Sequence, residues 1–342
     1  MDRSHRGRGQ LSKPSLTVLA TPILGAPLSR EQVARIEAVD GVACVRIAAD
    51  GHIHGDADES AFDRAEVLLV GAVPASVLDH IAGRSPRLRW IHSASAGVDR
   101  IATPALRGRG LTVTNARGVF SRPIAEYVVM MSLAVARRLP TLLELQRERT
   151  WQPLRGRELA ELTVGIIGFG SIGLEVARLL EPFGCRVLAT RRHPERGSGA
   201  APNVELRPLD GLHDVLRESD VVVVAAPLTE DTAGLIGAEE LAQMREDAWL
   251  INIARGRLID EVALRRALEH GWIGGAVLDV FTEEPLSPDS PLYRTPHLVI
   301  TPHTSWASDR VIERSVDLFV DNLRRHRAGE PLRNLVDLEA GY

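Results

Sequence analysis

One stretch near the middle of the chain constrains the fold more than any other. Residues 162–180 read LTVGIIGFGSIGLEVARLL. A short apolar run is followed by three glycines with the spacing G-x-G-x-x-G and then by apolar residues at helical spacing. This pattern predicts a buried parallel strand that turns sharply into a helix.

Each glycine of the run has a physical role. Gly168 permits the tight turn, Gly170 lets the backbone approach a pyrophosphate, and Gly173 lets the helix lie close to the sheet. The first helical residues, Ser171 and Ile172, would offer free N–H groups and the positive end of the helix dipole to the phosphates. A further strand follows at βαβ distance, so the run predicts dinucleotide binding, with a purely structural turn as the alternative.

The rest of the sequence alternates between strand and helix patterns. Strands are predicted at 16–20, 43–47, 67–70, 88–92, 111–115, 185–190, 220–229, 248–256, 274–280 and 298–303, and helices at 74–81, 121–138 and 308–325. A further helix, capped by Ser29, is predicted to run through Ala38. This alternation predicts parallel sheets with crossover helices. Helix 121–138 is apolar on nearly every side, so we expect it to be buried between domains or subunits, with Arg137 and Arg138 at the favourable end of its dipole.

The chain of 342 residues is long enough for two domains. We expect a disordered arm over residues 1–15, a substrate domain formed by 16–118 plus 305–342, and a dinucleotide-binding domain over 119–304. The last helix would return to the first domain and make that domain discontinuous.

Composition excludes several classes of protein. A net charge of −4 gives no reason to expect nucleic acid or an anionic membrane as a partner. No apolar run approaches the ~20 residues of a membrane span, and no signal peptide is visible, so we expect a cytoplasmic protein. Cys44 and Cys185 lack the spacing of a disulfide framework or a structural metal site. Lys13 is the only lysine, which argues against Schiff-base chemistry.

A loop of small residues follows the fourth predicted strand. It contains Ser95, Ala96 and Gly97, and ligands of open α/β sheets bind at such strand ends. A row of accessible backbone N–H groups there would hold a small carboxylate. The alternative is an ordinary glycine-containing turn.

Three further residues stand just past strand ends: Arg255, Glu284 and His303. Singly, they could be a surface cation, a loop carboxylate and a capping histidine. Together they suit the exchange of a proton and a hydride across a C–OH/C=O pair. Histidine exchanges a proton near neutral pH, a carboxylate on its far nitrogen fixes the ring, and arginine clamps a 2-oxo acid.

The sequence also resembles the D-isomer-specific 2-hydroxyacid dehydrogenases from Leu16 to Leu335. The motifs that carry the resemblance are the glycine run, Ser95-Ala96-Gly97-Val98-Asp99, Ala226-Pro227-Leu228-Thr229, Asn252-Ile253-Ala254-Arg255-Gly256, Leu278-Asp279-Val280-Phe281 with Glu284-Pro285-Leu286, and Thr301-Pro302-His303. The implied fold is α/β, with two Rossmann-like doubly wound domains and the cofactor domain inserted into a flavodoxin-like substrate domain.

The resemblance also implies site residues. Arg255 would bind and polarise the substrate, Glu284 would pair with the acid/base His303, and residues 95–98 would meet the substrate carboxylate. The implied cofactor contacts are Gly168, Gly170, Ser171, Ile172, Gly173, Ala226, Pro227, Ile253, Ala254, Arg255, Asp279 at the nicotinamide end, His303 and Ser305. A small 2-oxo or 2-hydroxy acid is the implied partner, and a homodimer built on the long helix near Pro123 is the implied assembly.

The sequence departs from the family pattern in two places. Where members that prefer NAD carry an acidic residue, this chain has Arg191 and Arg192 after Thr190, and Arg191 follows Gly173 at close to the ~20 residues expected of the ribose-binding carboxylate. Arginines attract a 2′-phosphate, so we expect NADP rather than NAD, unless both side chains only face solvent. Trp306, shortly after His303, should reshape the wall of the substrate cleft.

We therefore expect an NADP-preferring reductase of a small 2-oxo acid, of the glyoxylate, hydroxypyruvate or phenylpyruvate type, and two alternatives stay open. A phosphoglycerate dehydrogenase is less favoured because no regulatory domain is visible in the sequence. A dinucleotide-sensing scaffold, like the corepressors that share the fold, would have no need of Arg255, Glu284 and His303 together. Glu284 argues against a formate dehydrogenase, which carries glutamine there.

Overall fold

A computed structural model describes residues 16–55, 57–97, 101, 103, 105–106, 108–192 and 204–336. The predicted arm over residues 1–15, and Val98 and Asp99 of the small-residue loop, lie outside the described residues. The chain divides into two compact units, the first formed by Met1–Val119 with Asp309–Tyr342 and the second by Phe120–Ser308.

The first unit contains a five-stranded parallel sheet with the strand order β2-β1-β3-β4-β5. Its strands are β1 (Leu16–Ala20), β2 (Val42–Arg46), β3 (Ala65–Val70), β4 (Trp90–Ser93) and β5 (Thr112–Asn115). Its helices are α1 (Arg30–Glu37), α2 (Ser60–Arg64), α3 (Ala75–Arg84) and, from the end of the chain, α10 (Val311–Ala328). Ser29 caps α1 in a reciprocal capping box with Gln32, as the sequence predicts.

Residues that alternate along β1 and β3 feed two cores, one on each face of this sheet. Leu19 and Leu68 pack with Phe62 and Ile81, whereas Val18 belongs to a second cluster. That second cluster includes Trp90, Val316, Phe319 and Leu323. Because the last three lie on α10, both ends of the chain build the first unit.

The second unit contains a seven-stranded parallel sheet with the order β12-β11-β10-β9-β6-β7-β8. Its strands are β6 (Thr163–Ile167), β7 (Arg186–Thr190), β8 (Val204–Arg207), β9 (Val221–Val224), β10 (Trp249–Asn252), β11 (Gly275–Leu278) and β12 (Leu298–Ile300). Its helices are α4 (Ser121–Ala136), α5 (Leu139–Arg147), α6 (Ser171–Leu180), α7 (Leu212–Glu218), α8 (Ala238–Gln243) and α9 (Glu261–Glu269).

The centre of the second sheet is a run of buried β-branched residues. Strand β9 consists of four buried valines, and β-branched side chains suit a strand that is covered on both faces. The two parallel sheets and their crossover helices confirm the predicted α/β class of two Rossmann-like units. Among the described residues, no helix is both long enough and apolar enough to cross a bilayer.

No individual ranges are predicted for α7, α8 and α9, and two further parts of the second unit differ from the prediction. Helix α4 ends at Ala136, two residues early, because Arg138 adopts a left-handed conformation with φ 54° and starts a separate helix, α5. Met130 of helix α4 is half exposed in the single chain, so the burial of this helix between domains or subunits stays a prediction. Strand β8 was not predicted, because its four residues alternate only weakly in polarity.

Candidate active site

The glycine turn between β6 and α6 is shaped by two close approaches of backbone. Gly168 has φ 93°, and a Cβ atom built on it would lie 2.5 Å from the backbone of Ala226. A Cβ atom on Gly173 would lie 3.1 Å from the carbonyl oxygen of Gly168. Side chains at these positions would therefore push the turn away from the segment after β9 and lift α6 from the sheet, in agreement with the roles predicted for both glycines.

The N-terminus of α6 is open on the side of Gly170. A Cβ atom there would meet nothing within 4 Å, and Gly170, the N-cap residue, supplies no side-chain acceptor for the first helical N–H groups. The N–H groups of the first turn, which starts at Ser171 and Ile172, have no intrahelical acceptors. A helix terminus of this kind suits a phosphate, so the donor set fits the pyrophosphate of a dinucleotide.

The end of β7 places the two arginines next to this turn. Thr190 is buried and holds the turn, because its carbonyl accepts from the N–H of Phe169 at 2.9 Å and its hydroxyl oxygen accepts from the N–H of Gly168 at 3.3 Å. The guanidinium of Arg192 pairs with Asp231 at 3.0 Å. Both side chains of that pair are exposed, so the pair is weak and would exchange readily for a phosphate.

Arg255 follows β10 in a turn that its neighbours fix. The buried Asn252 accepts from the N–H of Ala254 at 3.1 Å and donates to the carbonyl of Arg255 at 3.0 Å. A Cβ atom on Gly256 would lie 1.9 Å from the backbone of Phe281. The turn that carries Arg255 can therefore touch the segment that leads to Glu284 only because residue 256 is glycine.

His303 and Glu284 form a direct pair. The Nδ1 atom of His303 lies 2.7 Å from Oε2 of Glu284, and Oε1 of Glu284 accepts from the N–H of Phe281 at 3.0 Å. The carboxylate, fixed by the backbone, therefore selects the protonated state of Nδ1 and leaves Nε2 as the atom that can exchange a proton with a ligand. The histidine side chain is 40% exposed, so a ligand can reach it.

The order of the strands explains why these residues lie at one edge of the sheet. Arg255 follows β10, Glu284 follows β11 and His303 follows β12, and these three strands are neighbours in the order β12-β11-β10. The carboxyl ends of parallel strands meet at the same edge, where ligands of open α/β sheets bind.

Asp279, at the end of β11, has an unexpected set of partners. Its buried carboxylate accepts from the hydroxyl of Thr301 at 2.6 Å, from the N–H of Thr304 at 2.8 Å and from the N–H of Ser305 at 2.9 Å. Ser305 is itself buried. The contacts of Asp279 and Ser305 with a nicotinamide stay predictions, and in this structure both residues shape the turn that carries His303.

The other predicted cofactor residues lie at neighbouring strand ends. Ala226 contacts Gly168 as described, and the carbonyl of Pro227 accepts from the hydroxyl of Thr232 at 2.7 Å. The N–H of Ile253 donates to the carbonyl of Val224 at 3.4 Å. Trp306 meets Phe120 edge to face, with 6.5 Å between the ring centroids, which fixes the indole that we expect at the substrate wall.

The small-residue loop belongs to the first unit. Asn115 donates from its side chain to the carbonyl of Ala96 at 2.8 Å, and the N–H of Ala116 donates to the carbonyl of Ser95 at 3.1 Å. Both carbonyls are therefore turned toward the end of β5. The predicted contact of Ser95, Ala96 and Gly97 with a carboxylate stays a prediction.

Sequence reasoning assigned no role to two polar residues of this site. The hydroxyl of Tyr127, on α4, lies 2.6 Å from the hydroxyl oxygen of Thr301. The sequence pattern places Tyr127 in an apolar helix and Thr301 at the start of the motif Thr301-Pro302-His303, and it indicates no role for either hydroxyl. A polar hydroxyl within an otherwise apolar helix is the one signal in the sequence that could have indicated a buried hydrogen bond.

Comparison with known proteins gives one matching family. The model for the D-isomer specific 2-hydroxyacid dehydrogenase NAD binding domain matches residues 129–305. Among curated relatives, the glyoxylate reductase of Korarchaeum cryptofilum is 36% identical over 278 residues, which cover 80% of this chain and 82% of the relative.

Solved structures with bound nucleotide are similar along almost the whole chain. A D-isomer specific 2-hydroxyacid dehydrogenase from Xanthobacter autotrophicus in complex with NADPH and MES is 33% identical, has a TM-score of 0.82, and covers 95% of this chain and 99% of its own. The NADPH-dependent glyoxylate/hydroxypyruvate reductase of Sinorhizobium meliloti, in complex with NADP and sulfate, is 27% identical, has a TM-score of 0.79, and covers 95% and 100%.

Proposed function

The chain belongs to the D-isomer specific 2-hydroxyacid dehydrogenase family, and from this membership we propose that it reduces glyoxylate, hydroxypyruvate or a similar small 2-oxo acid to the D-2-hydroxy acid. The observation that carries the proposal is the pair of His303 and Glu284 at the carboxyl edge of the sheet, in which Nδ1 of the histidine lies 2.7 Å from Oε2 of the glutamate. A dinucleotide-sensing scaffold would not need this pair.

The proposed acid/base is His303. In the direction of reduction, Nε2 of the protonated ring gives its proton to the carbonyl oxygen of the substrate, and the hydroxyl of the 2-hydroxy acid forms. Glu284 accepts from Nδ1, orients the ring, and stabilises its positive charge before the transfer. The nicotinamide dinucleotide, when bound, supplies the hydride for the carbonyl carbon.

We assign the binding of the substrate to Arg255. The guanidinium carries a permanent charge and a planar set of donors that match a carboxylate and the adjacent carbonyl oxygen. For the small-residue loop of the first unit, in which the N–H of Ser95 donates to the hydroxyl oxygen of Ser93 at 3.2 Å, the contact of Ser95, Ala96 and Gly97 with a carboxylate stays a prediction. Trp306 would limit the size of the substrate side chain.

The residues that would hold the dinucleotide come from three strand ends. The first turn of α6 would bind the pyrophosphate, Ala226 and Pro227 would line the adjacent wall, and Arg191 with Arg192 would bind the 2′-phosphate of NADP. Support comes from the open space at Gly170 and from the exposed, weakly paired Arg192.

The proposal is tested by following NADPH and NADH oxidation with glyoxylate, hydroxypyruvate, pyruvate and phenylpyruvate. We expect turnover with at least one of these acids, with a higher kcat/KM for NADPH than for NADH. Nucleotide binding without oxidation by any of the four acids would contradict the proposal and favour a sensor.

The same assay tests the assignment of the 2′-phosphate site. We expect Arg191→Asp to lower the NADPH to NADH ratio of kcat/KM by about 10²-fold, because it removes charged hydrogen bonds worth about 1.5–3 kcal/mol each and adds repulsion. Arg87→Asp is the charge-matched control, since Arg87 is an exposed arginine of the first unit. An unchanged ratio in Arg191→Asp would mean that this arginine does not meet the phosphate.

We further propose that the protein is a homodimer. Helix α5 buries none of its own residues within the chain, although Leu139, Leu142 and Leu143 lie on one face of it and are 37–46% exposed. Trp151, a few residues further, is fully exposed. Large apolar side chains clustered in this way mark an interaction surface, and a second copy of the chain fits the family.

The dimer is tested by light scattering. We expect a mass twice the 37.3 kDa of the chain, and we expect the double variant Leu142→Glu/Leu143→Glu to be a monomer because it places charge in the apolar surface. Leu209→Glu, at an exposed leucine elsewhere in the second unit, should leave the mass unchanged. A wild-type monomer would contradict the assembly without touching the proposed reaction.

The cytoplasm is the location we propose. Both cysteines of the chain, Cys44 and Cys185, are free. Free cysteines are typical of proteins in a reducing compartment.

A further inference from the structure

A chain of hydrogen bonds connects helix α4 with the turn that carries His303. The hydroxyl of Tyr127 lies 2.6 Å from the hydroxyl oxygen of Thr301, and that hydroxyl donates to Oδ1 of Asp279 at 2.6 Å. Tyr127 and Asp279 are 8% and 0% exposed. The side chains of Tyr127 and Thr301, which are 174 positions apart in the sequence, therefore meet in a partly buried site.

The direction of each hydrogen bond in this chain follows from the chemistry of its members. A threonine hydroxyl has one hydrogen, and Thr301 donates it to Asp279. Thr301 can then only accept from Tyr127, so the tyrosine hydroxyl is the donor. Burial raises the pKa of the Tyr127 hydroxyl to about 12, with a further rise from the charge of Asp279 and a partly opposing effect of the bond to Thr301. The hydroxyl thus keeps its hydrogen at neutral pH.

Asp279 connects this series of hydrogen bonds to the backbone around His303. Its carbonyl oxygen accepts from the N–H of His303 at 2.8 Å, and its carboxylate accepts from the N–H groups of Thr304 and Ser305. His303 itself has φ 50°, a left-handed conformation that costs free energy in a residue with a side chain. The surroundings must hold that conformation, and Asp279 supplies four of the hydrogen bonds around it.

We propose that Tyr127 is a positioning residue for His303, acting through Thr301 and the carboxylate of Asp279. This inference rests on the proposed function, because it takes His303 as the acid/base. Tyr127 fixes the hydroxyl of Thr301, which fixes Oδ1 of Asp279, and that carboxylate orients the backbone of residues 303–305. These hydrogen bonds therefore orient the backbone of His303, while Glu284 orients its imidazole ring.

The first test is Tyr127→Phe, which removes one hydroxyl and keeps the ring. We expect kcat to fall about tenfold, which corresponds to ~1.4 kcal/mol in the barrier, with KM for the 2-oxo acid and the dissociation constant of NADPH within about twofold of wild type. Tyr293→Phe is the matched control, since Tyr293 is exposed in the same unit. An unchanged kcat in Tyr127→Phe, or a loss of nucleotide affinity equal to the loss of kcat, would overturn the proposal.

Variants of Thr301 test whether Tyr127 acts on His303 through the hydroxyl of Thr301. Thr301→Val keeps the shape and removes the hydroxyl, and we expect it to lower kcat at least as much as Tyr127→Phe does, whereas Thr301→Ser keeps the hydroxyl and should retain most of kcat. Because Tyr127 acts through Thr301, the double variant Tyr127→Phe/Thr301→Val should be no slower than Thr301→Val alone. Fully additive losses would show that Tyr127 does not act along this route.

A readout without turnover separates this inference from the proposed function. In protein labelled with ¹⁵N-histidine, the ring signals of His303 are assigned by their absence in His303→Asn. We expect Tyr127→Phe to shift or broaden these signals and Tyr293→Phe to leave them in place. Superimposed signals in Tyr127→Phe would overturn the positioning role, even if none of the four acids were reduced by the wild type.

Discussion

We expect His303→Asn to lower kcat for the reduction of a 2-oxo acid by about 10²–10⁴-fold, the range that general acid catalysis contributes. Asparagine cannot give up a proton at neutral pH, so the carbonyl oxygen would have to take its proton from water. Nucleotide binding should stay within about twofold, because the phosphates are assigned to the helix N-terminus at Gly170 and not to His303. Steady-state rates and a fluorescence titration with NADPH measure the two quantities.

Asparagine is a better replacement than alanine because of the backbone conformation at residue 303. His303 has φ 50°, a region that asparagine adopts far more readily than alanine does. Alanine would combine the loss of the acid with strain in the turn, whereas asparagine separates the two effects. His52→Asn, at an exposed histidine of the first unit, is the control and should leave kcat unchanged.

Either of two results would contradict the assignment of His303. A kcat within tenfold of wild type would mean that another group supplies the proton. A loss of NADPH affinity as large as the loss of rate would instead make His303 a residue that holds the cofactor.

The β6–α6 segment of the second unit could be predicted from local sequence because its signals are local. The apolar run, the three glycines and the helical period of residues 162–180 are contiguous, and together they indicate a strand, a tight turn and a helix. The same holds for Ser29, whose cap depends on a residue three positions away.

To predict that Arg255, Glu284 and His303 lie at the same edge of the sheet required one further inference. Each residue follows a predicted strand, but the sequence does not state which strands are neighbours. Only the rule that parallel strands gather their carboxyl ends at one edge allowed the three to be grouped, and the order β12-β11-β10 supplies the adjacency.

The series of hydrogen bonds from Tyr127 through Thr301 to Asp279 could not have been predicted, since it joins residues far apart in the sequence. A tyrosine in an apolar helix contributes to amphipathicity patterns as a hydrophobic residue, and its hydroxyl leaves no periodic signal. Helix α5 was missed for another reason. Its start depends on the left-handed conformation of Arg138, which arginine rarely adopts.

Replacement of Arg255 is the second change for which we expect a large loss of activity. We expect Arg255→Met to lower kcat/KM for the 2-oxo acid by about 10²–10⁴-fold, because two charged hydrogen bonds of about 1.5–3 kcal/mol each are lost. Arg255→Lys should recover only part of this, since lysine keeps the charge but not the planar pair of donors. Steady-state kinetics with the preferred acid measure both variants.

Arg257 supplies a matched control from the same short segment. It is exposed, whereas Arg255 is partly buried, so Arg257→Met removes the same charge from a place where it is solvated. If the overall charge of the segment attracted the anionic substrate, both variants would raise KM alike and the effect would weaken with added salt. A fixed clamp predicts that only Arg255→Met loses activity and that salt changes the loss little. Because Gly256 holds this turn against the backbone of Phe281, we expect the arginine to meet the substrate in a defined place, and the clamp is the outcome we expect.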